Sequence, residues 1–154
     1  MKRSRKGFTL TELLITIIII GILATSLLLT FANAKDRSTA TRIVADLMTL
    51  KRASCFFYAD KGRWPLEGDL GDLVSYMGID EIPEGMDEGR AIYGISSGSG
   101  TAIYISARVG NGNGITAGTR KILETEAPSY DLLDSEGSPY SANSDIIMVF
   151  LRPL

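Results

Sequence analysis

The chain has 154 residues, with 16 lysines and arginines, 18 aspartates and glutamates, and no histidine. A net charge of −2 argues against a broadly basic surface, so no nucleic-acid partner is predicted for the C-terminal part of the chain, residues 61–154. The missing histidine removes the commonest general base and a usual zinc ligand, and the spacing of the acids singles out no carboxylate pair. We therefore predict that the protein is not an enzyme.

The chain begins with a basic leader, residues 1–7, followed by a long uncharged run. The positive residues of the leader are Lys2, Arg3, Arg5 and Lys6. No charged residue lies between Glu12 and Lys35, and a helix of roughly 22 residues reaches about 33 Å, enough to cross a ~30 Å hydrocarbon core. Residues 8–34 are thus predicted to form a transmembrane or filament-core helix. The positive flank predicts a cytoplasmic N-terminus, with the remainder outside the cytoplasm.

Glu12 stands at the head of this apolar run, at or inside the predicted membrane boundary. A carboxylate there costs a few kcal/mol unless it is paired, so an acid at such a position is by default a functional candidate. If the peptide bond after Gly7 were cut, Phe8 would present a positively charged amine. Glu12 of a neighbouring subunit could then pair with that amine.

One short motif joins the basic leader to the apolar helix. It consists of Gly7, Phe8, Thr9, Leu10 and Glu12. Together with its two flanks, this motif resembles the signal sequence of type IV pilins and type II secretion pseudopilins. In that family a prepilin peptidase cuts after the glycine and N-methylates the new terminus, and the glutamate pairs with the terminus of an adjacent subunit.

The resemblance has consequences for processing, assembly and location. It implies cleavage between Gly7 and Phe8, N-methylation at Phe8, and assembly through Glu12, Leu13 and Leu14. The implied partners are identical or related pilin subunits, a prepilin peptidase, an inner-membrane assembly platform and, before assembly, membrane lipid. The implied location is the cytoplasmic membrane and then a periplasmic or extracellular filament. A pilus subunit, a type II secretion pseudopilin and a DNA-uptake pseudopilin fit the residues equally.

Two other interpretations of the N-terminal segment and one competing function remain open. Residues 32–34 offer an A-x-A cleavage site for an ordinary signal peptidase, although the apolar run exceeds the usual ~7–15 residues. A plain one-pass anchor would require only that Glu12 reach the headgroups. The competing function is a membrane-anchored monomeric binding module that uses the Trp64 region and does not assemble.

Residues 35–60 are predicted to continue the helix with one apolar face. Apolar residues recur here at three-, four- and seven-residue spacing, which predicts a stripe that docks onto a sheet. The stripe consists of Ile43, Leu47, Leu50 and Phe57. Cys55, the single cysteine, lies in this helix and is expected to be a small buried side chain. Gly62 and Pro65 predict that the helix ends near Asp60.

Residues 61–154, called the head, are predicted to complete an α+β, pilin-like fold in which the long helix packs on a small antiparallel sheet. Turn residues and β-branched runs predict three strands. These strands are Ala91–Ile95, Thr101–Val109 and Asp145–Leu151. Leu70–Met77 is a short helical candidate, and Ile115–Ala127 fits either a strand or a short helix. Trp64 is expected to cover the small core.

Two patterns in the head suggest ligand sites. Residues 112–117 fit a loose G-x-G-x-x-A dinucleotide pattern, but no βαβ unit surrounds them, so a flexible connection is expected. The acids Asp131, Asp134 and Glu136, with Asp145 nearby, are expected to lie in a solvated turn; calcium is the alternative, although their spacing matches no EF-hand. No cofactor other than this candidate calcium is predicted. Residues 134–140 also resemble a tight-turn motif of major pseudopilins.

Overall fold

A computed structural model of the chain describes residues 7–78, 92–97, 102–110 and 115–152. The elements in chain order are α1 (Leu10–Lys61), α2 (Leu70–Met77), β1 (Ile92–Ser97), β2 (Ile103–Arg108), α3 (Ala117–Tyr130) and β3 (Ile146–Arg152). A long N-terminal helix with a small antiparallel sheet confirms the predicted α+β, pilin-like arrangement. The chain divides into two compact units, residues 1–35 and 36–154, which are described in turn.

The first unit consists of the apolar part of α1. Apolar side chains are exposed around the whole helix, as at Leu13, Ile18 and Leu28, and α1 is long and apolar enough to cross a membrane by length and composition. Several of its hydroxyl side chains are satisfied within the helix. Thr16 and Thr25 each donate to the carbonyl oxygen four residues earlier, at 2.7 and 2.9 Å. Such bonds let polar side chains lie in an apolar helix without an external partner.

The second unit is built around the C-terminal part of α1. All four residues of the predicted stripe are buried, with at most 3% of their surface exposed at Leu50 and Ile43. Three of them share one buried cluster with Ile105 and Val149 of the sheet, and Phe57 lies in a smaller cluster. The stripe therefore docks onto the sheet as predicted.

The sheet is an antiparallel meander in the order β1-β2-β3. Ile105 on the central strand pairs with Ile95 on one side and Val149 on the other, and all three side chains are buried. The alternation of buried and exposed residues along a strand explains why one face of the sheet can cover α1. The three strands confirm the predicted ones to within two residues, apart from Ala91 and Thr101, which lie outside the described residues.

α3 resolves the open alternative for residues 115–127 in favour of a helix. Its N-cap, Thr116, accepts a hydrogen bond from the Thr119 amide at 3.0 Å, which satisfies one of the free amides of the first turn. Leu123 and Ala127 are buried in the main cluster. Residues 111–114, which include the glycines of the dinucleotide-like pattern, lie outside the described residues.

The prediction for Cys55 was wrong, because its side chain is exposed. Successive residues of a helix are about 100° apart, and the buried position next to it is taken by Ser54. The Ser54 hydroxyl donates to the Leu50 carbonyl oxygen at 2.8 Å. That bond satisfies the hydroxyl inside the core, so the polar residue can take the buried place and the thiol faces solvent.

Trp64 lies where the chain leaves α1 and is half-buried against the main cluster, as predicted. Gly62 adopts a left-handed conformation with φ of 67°, and its amide donates to the Tyr58 carbonyl oxygen at 2.9 Å. α1 thus ends at Lys61, one residue beyond the predicted end. The Trp64 ring stacks on Tyr58 with centroids 4.6 Å apart, so it covers one end of the core.

Asp36 connects α1 to the start of α3. Its Oδ1 atom accepts hydrogen bonds from the Thr116 hydroxyl at 2.5 Å and the Thr119 hydroxyl at 3.2 Å. Gly118 lies beside the same carboxylate, and a Cβ atom there would overlap the Asp36 Oδ2 atom. A Cβ at position 118 would therefore displace the Asp36 carboxylate from the hydroxyls of Thr116 and Thr119.

Gly118→Ala is expected to lower the free energy of unfolding by about 1 kcal/mol or more. Bonds to a charged group contribute about 1.5–3 kcal/mol, and displacing the Asp36 carboxylate outweighs the gain in helix propensity of up to ~1 kcal/mol. Urea unfolding of the full chain in detergent, followed by fluorescence of the single tryptophan, measures the change. Gly71→Ala in α2 is the matched control, because nothing lies within 4 Å of the place that its Cβ would take. Equal effects of the two substitutions would contradict the explanation.

A second prediction concerns the Arg63–Asp69 pair, in which the guanidinium lies 2.6 Å from the carboxylate. Hydrogen bonds from Arg63 and from the Leu66 amide lower the pKa of Asp69 to about 2. Because the folded pKa is below the unfolded value of about 3.9, the contribution to stability is present above about pH 4. It is lost as the pH falls through about 2.

At about pH 5 the urea midpoint of unfolding should therefore be higher for the wild-type protein than for Asp69→Asn. The two midpoints should become nearly equal near about pH 2. Arg63→Met should lose most of the same pH dependence, because it removes the first partner of the carboxylate. A difference in urea midpoint between wild type and Asp69→Asn that stays constant over this pH range would be inconsistent with the pairing.

Candidate functional site

The N-terminus of α1 holds the predicted processing and assembly residues. Thr9 directly precedes the first helical residue, Leu10. The amide and the hydroxyl of Thr9 both donate to Oε2 of Glu12, at 2.9 and 2.7 Å. In return the Glu12 amide donates to the Thr9 hydroxyl oxygen at 3.2 Å. This reciprocal pattern is a capping box, which satisfies free amides at the start of a helix.

The capping box gives Glu12 a partner that the sequence interpretation missed. That interpretation considered only a partner on a neighbouring subunit, although the Thr-x-x-Glu spacing at a helix start is itself the signal of a capping box. Both bonds from Thr9 go to Oε2, and the described residues place no hydrogen bond on Oε1. One oxygen is therefore held within the chain, while the other has room to accept from a donor outside it.

The residues on either side of the predicted cleavage point are open. Phe8 is 80% exposed, Gly7 is exposed, and nothing lies within 4 Å of the position that a Cβ of Gly7 would take. Leu13 and Leu14, predicted to act in assembly, are also exposed in the single chain. The remainder of the leader, residues 1–6, lies outside the described residues. The described geometry thus leaves the Gly7–Phe8 peptide bond accessible and the first apolar turn uncovered.

The acids of the head serve a turn and a helix cap. Asp134 Oδ1 accepts hydrogen bonds from the amides of Glu136 and Ser138, each at 2.9 Å, and Gly137 has a φ of 82°. Asp131 forms the left-handed C-cap of α3. The part of the chain that the structure describes contains no group of three or more histidine, cysteine or acidic residues placed to hold a metal. The geometry therefore supports the tight turn and gives the calcium alternative no ligand set.

The half-buried acid Asp46 has a structural role in the second unit. Burial raises its pKa, and the Tyr93 hydroxyl donates to its Oδ2 atom at 2.9 Å. Arg42, one helical turn earlier, lies 3.8 Å from the same oxygen. The contact joins the C-terminal part of α1 to β1, and the hydrogen bond compensates for the loss of water around the carboxylate.

Comparison with known proteins agrees with this view of the N-terminus. Residues 2–28 match the model of the prokaryotic N-terminal methylation motif. The chain is 33% identical over 64 residues to the type II secretion system core protein G of Klebsiella michiganensis, covering 42% of this chain and 45% of that protein. It is 36% identical over 76 residues to the protein of the same name from Klebsiella pneumoniae, covering 49% and 54%.

The chain is also similar to a fimbrial protein. The chain is 40% identical over 75 residues to the fimbrial protein EcpC of Eikenella corrodens, covering 49% of each chain. The matches span about half the length of these curated relatives. No solved structure matches the chain. The predicted resemblance to type IV pilins and type II secretion pseudopilins is confirmed by the motif and by these relatives.

Thr9→Val is expected to weaken the start of α1, because it removes the hydroxyl that both accepts from and donates to Glu12. Loss of an N-cap costs about 1 kcal/mol, which corresponds to roughly fivefold faster amide exchange in the first turn. Hydrogen exchange at the Glu12 amide of the full chain in micelles measures this. Thr9→Ser keeps the hydroxyl and should exchange like wild type. Equal exchange in the valine and serine variants would rule out a stabilising capping box.

Proposed function

We propose that the protein is a prepilin-like structural subunit that is cleaved between Gly7 and Phe8, N-methylated at Phe8 and assembled into a filament. The observation that carries the proposal is the methylation motif over residues 2–28, in which Glu12 heads an apolar helix of spanning length. Several relatives are named type II secretion system core protein G. They favour a type II secretion pseudopilus over a type IV pilus.

The chemistry of assembly depends on one charge pair. Cleavage after Gly7 releases the amine of Phe8, which keeps its positive charge after methylation. In the adjacent copy, Oε1 of Glu12 accepts a hydrogen bond from that cation, while the amide and hydroxyl of Thr9 donate to Oε2. A charged pair in an apolar surrounding is stable only when its remaining hydrogen-bonding positions are also satisfied. Thr9 provides these additional hydrogen bonds from within the chain.

The apolar helix supplies packing, and the charge pair supplies register. Leu13 and Leu14 begin the apolar surface that membrane lipid covers before assembly and neighbouring helices cover afterwards. Lipid tails are as apolar as leucine, so the exchange of lipid for helix gives little hydrophobic free energy by itself. Close packing and the pairing of Glu12 must therefore determine which copies associate and at what axial offset.

The proposal also implies a set of partners and a location. A prepilin peptidase would cut and methylate the N-terminus, and an inner-membrane platform would extract the processed chain. The basic leader favours a cytoplasmic N-terminus, with the head on the opposite side of the membrane. Related pilin subunits would form the remainder of the filament, as the names of the matched relatives suggest.

Glu12→Gln separates the charge of this residue from its capping role. Glutamine can still accept the Thr9 hydrogen bonds in a capping box, but it cannot pair with a cation. We expect normal cleavage and methylation at Phe8 with a filament yield at least about tenfold lower, since a charged hydrogen bond contributes about 1.5–3 kcal/mol. Intact mass of the membrane extract, with a co-expressed prepilin peptidase, reports processing. The filament yield is measured in the material that is sheared from the cell surface.

Glu67→Gln, at an exposed acid of the head, is the control and should assemble normally. Normal filaments from Glu12→Gln would refute the pairing. An uncut N-terminus at Met1 in the presence of the peptidase would instead indicate a simple anchor, as a monomeric binding module requires. A processed protein whose N-terminal residue is Lys35 would indicate ordinary signal-peptide cleavage.

A further inference from the structure

Phe56 is a large apolar side chain on the outer face of α1 in the second unit. It is 63% exposed, whereas the adjacent Phe57 is fully buried. Arg52 and Asp60, both exposed, lie one turn before and one turn after Phe56 on the same helical face. Phe56 therefore forms an apolar knob with a positive charge on one side and a negative charge on the other.

A separate groove of the same unit has the opposite shape. It lies beside α1 where the end of α3, the turn after it and β3 meet, and it has a volume of about 370 Å³. Its lining is mostly apolar, through Pro128, Leu133, Pro139 and Phe150, with Lys51 and Asp131 as its charged members. This cavity, called the α3 groove, lies in the size range of pockets that bury apolar groups.

The knob and the α3 groove lie on different sides of α1. Phe56 is five residues after Lys51, which places it about 500°, or about 140° net, around the helix axis. Phe56 cannot enter the groove of its own chain. A knob and a groove on different surfaces of one molecule form a head-to-tail contact. Repetition of such a contact produces an open helical filament when its rotation does not close into a ring.

The charges of the two surfaces are complementary. Arg52 flanks the knob and the α3 groove carries Asp131, so one pair of opposite sign is available. Asp60, on the other side of the knob, already accepts a hydrogen bond from the Tyr76 hydroxyl and lies 3.4 Å from Lys61. Opposite charges at the rim of an apolar contact set its orientation more than its affinity. This complementarity, together with the shape, favours another copy of this chain as the occupant.

We infer that Phe56 of one copy docks into the α3 groove of the next copy in the filament, with Arg52 directed to Asp131. The inference rests on the proposed function, because it supplies a contact between the second units of assembled copies. The partner is a second copy of this chain. The contact involves none of the N-terminal residues that the proposed pairing of Glu12 uses.

The native thiol of Cys55 makes the contact measurable, because it is exposed and adjacent to Phe56. Two differently tagged copies would be co-expressed with the prepilin peptidase and the assembly platform. One keeps Cys55, and the other carries Cys55→Ser with Ser129→Cys, at an exposed residue next to Pro128 of the groove. Mild oxidation should then give a disulfide-linked dimer that contains both tags, since each mixed dimer requires the thiol beside the knob and the thiol beside the groove.

Matched variants test the specificity of the mixed dimer. Ser96→Cys, at an exposed serine of β1 outside the groove, should replace Ser129→Cys without giving mixed dimers. Phe56→Ala should lower the yield about fivefold or more, as removal of a central apolar anchor does. Leu66→Ala, at another exposed apolar residue, should leave the yield unchanged.

Filament yield is measured in the same samples. Filaments with the expected mixed dimers support the inference. Filaments without mixed dimers overturn the inference and leave the proposed function standing. Equal yields of mixed dimer from Ser96→Cys and Ser129→Cys do the same. Failure to form filaments even with the unmodified chain, processed at Phe8, overturns the proposed function and the inference with it.

Discussion

The burial of one stripe of α1 against the sheet is the contact on which the second unit depends. Leu47, Ile105 and Val149 are completely buried where helix and sheet meet. Burial of an apolar side chain of this size contributes about 1.5–3 kcal/mol, and no other contact in the described chain joins so many apolar residues. Once this stripe is buried, the remaining faces of the helix are determined, including the outward face that carries Phe56.

The apolar part of α1 is subject to a different constraint, the placement of a single carboxylate. Glu12 is held by Thr9 through one oxygen, and this arrangement serves two needs. It completes the start of the helix before assembly, and it leaves the second oxygen for the cation that the proposed pairing supplies. A structural cap and an assembly residue are therefore compatible in one side chain. The functional interpretation of the motif and its local structural interpretation support each other.

Much of the architecture could be predicted, because its signals are local and periodic. The stripe from Ile43 to Phe57 and the short helix Leu70–Met77 follow directly from spacing, and the strands follow from β-branched runs between turn residues. The error at Cys55 was avoidable, because the three- and four-residue steps of the stripe lead from Leu50 to Ser54 and Phe57, and the Ser54 hydroxyl is satisfied by the Leu50 carbonyl oxygen. The open alternative for α3 was decided by neighbours in space, since Thr116 and Thr119 contact Asp36, about 80 residues away.

The sequence by itself determined the N-terminal motif, the apolar helix and the amphipathic stripe, because charge and hydropathy act residue by residue along one helix. Tertiary structure alone decided two other features. It brought Gly118 of α3 against the Asp36 carboxylate of α1, and it placed Phe56 and the α3 groove on different surfaces. Each of these depends on the distance between elements far apart in the chain, which no local pattern contains.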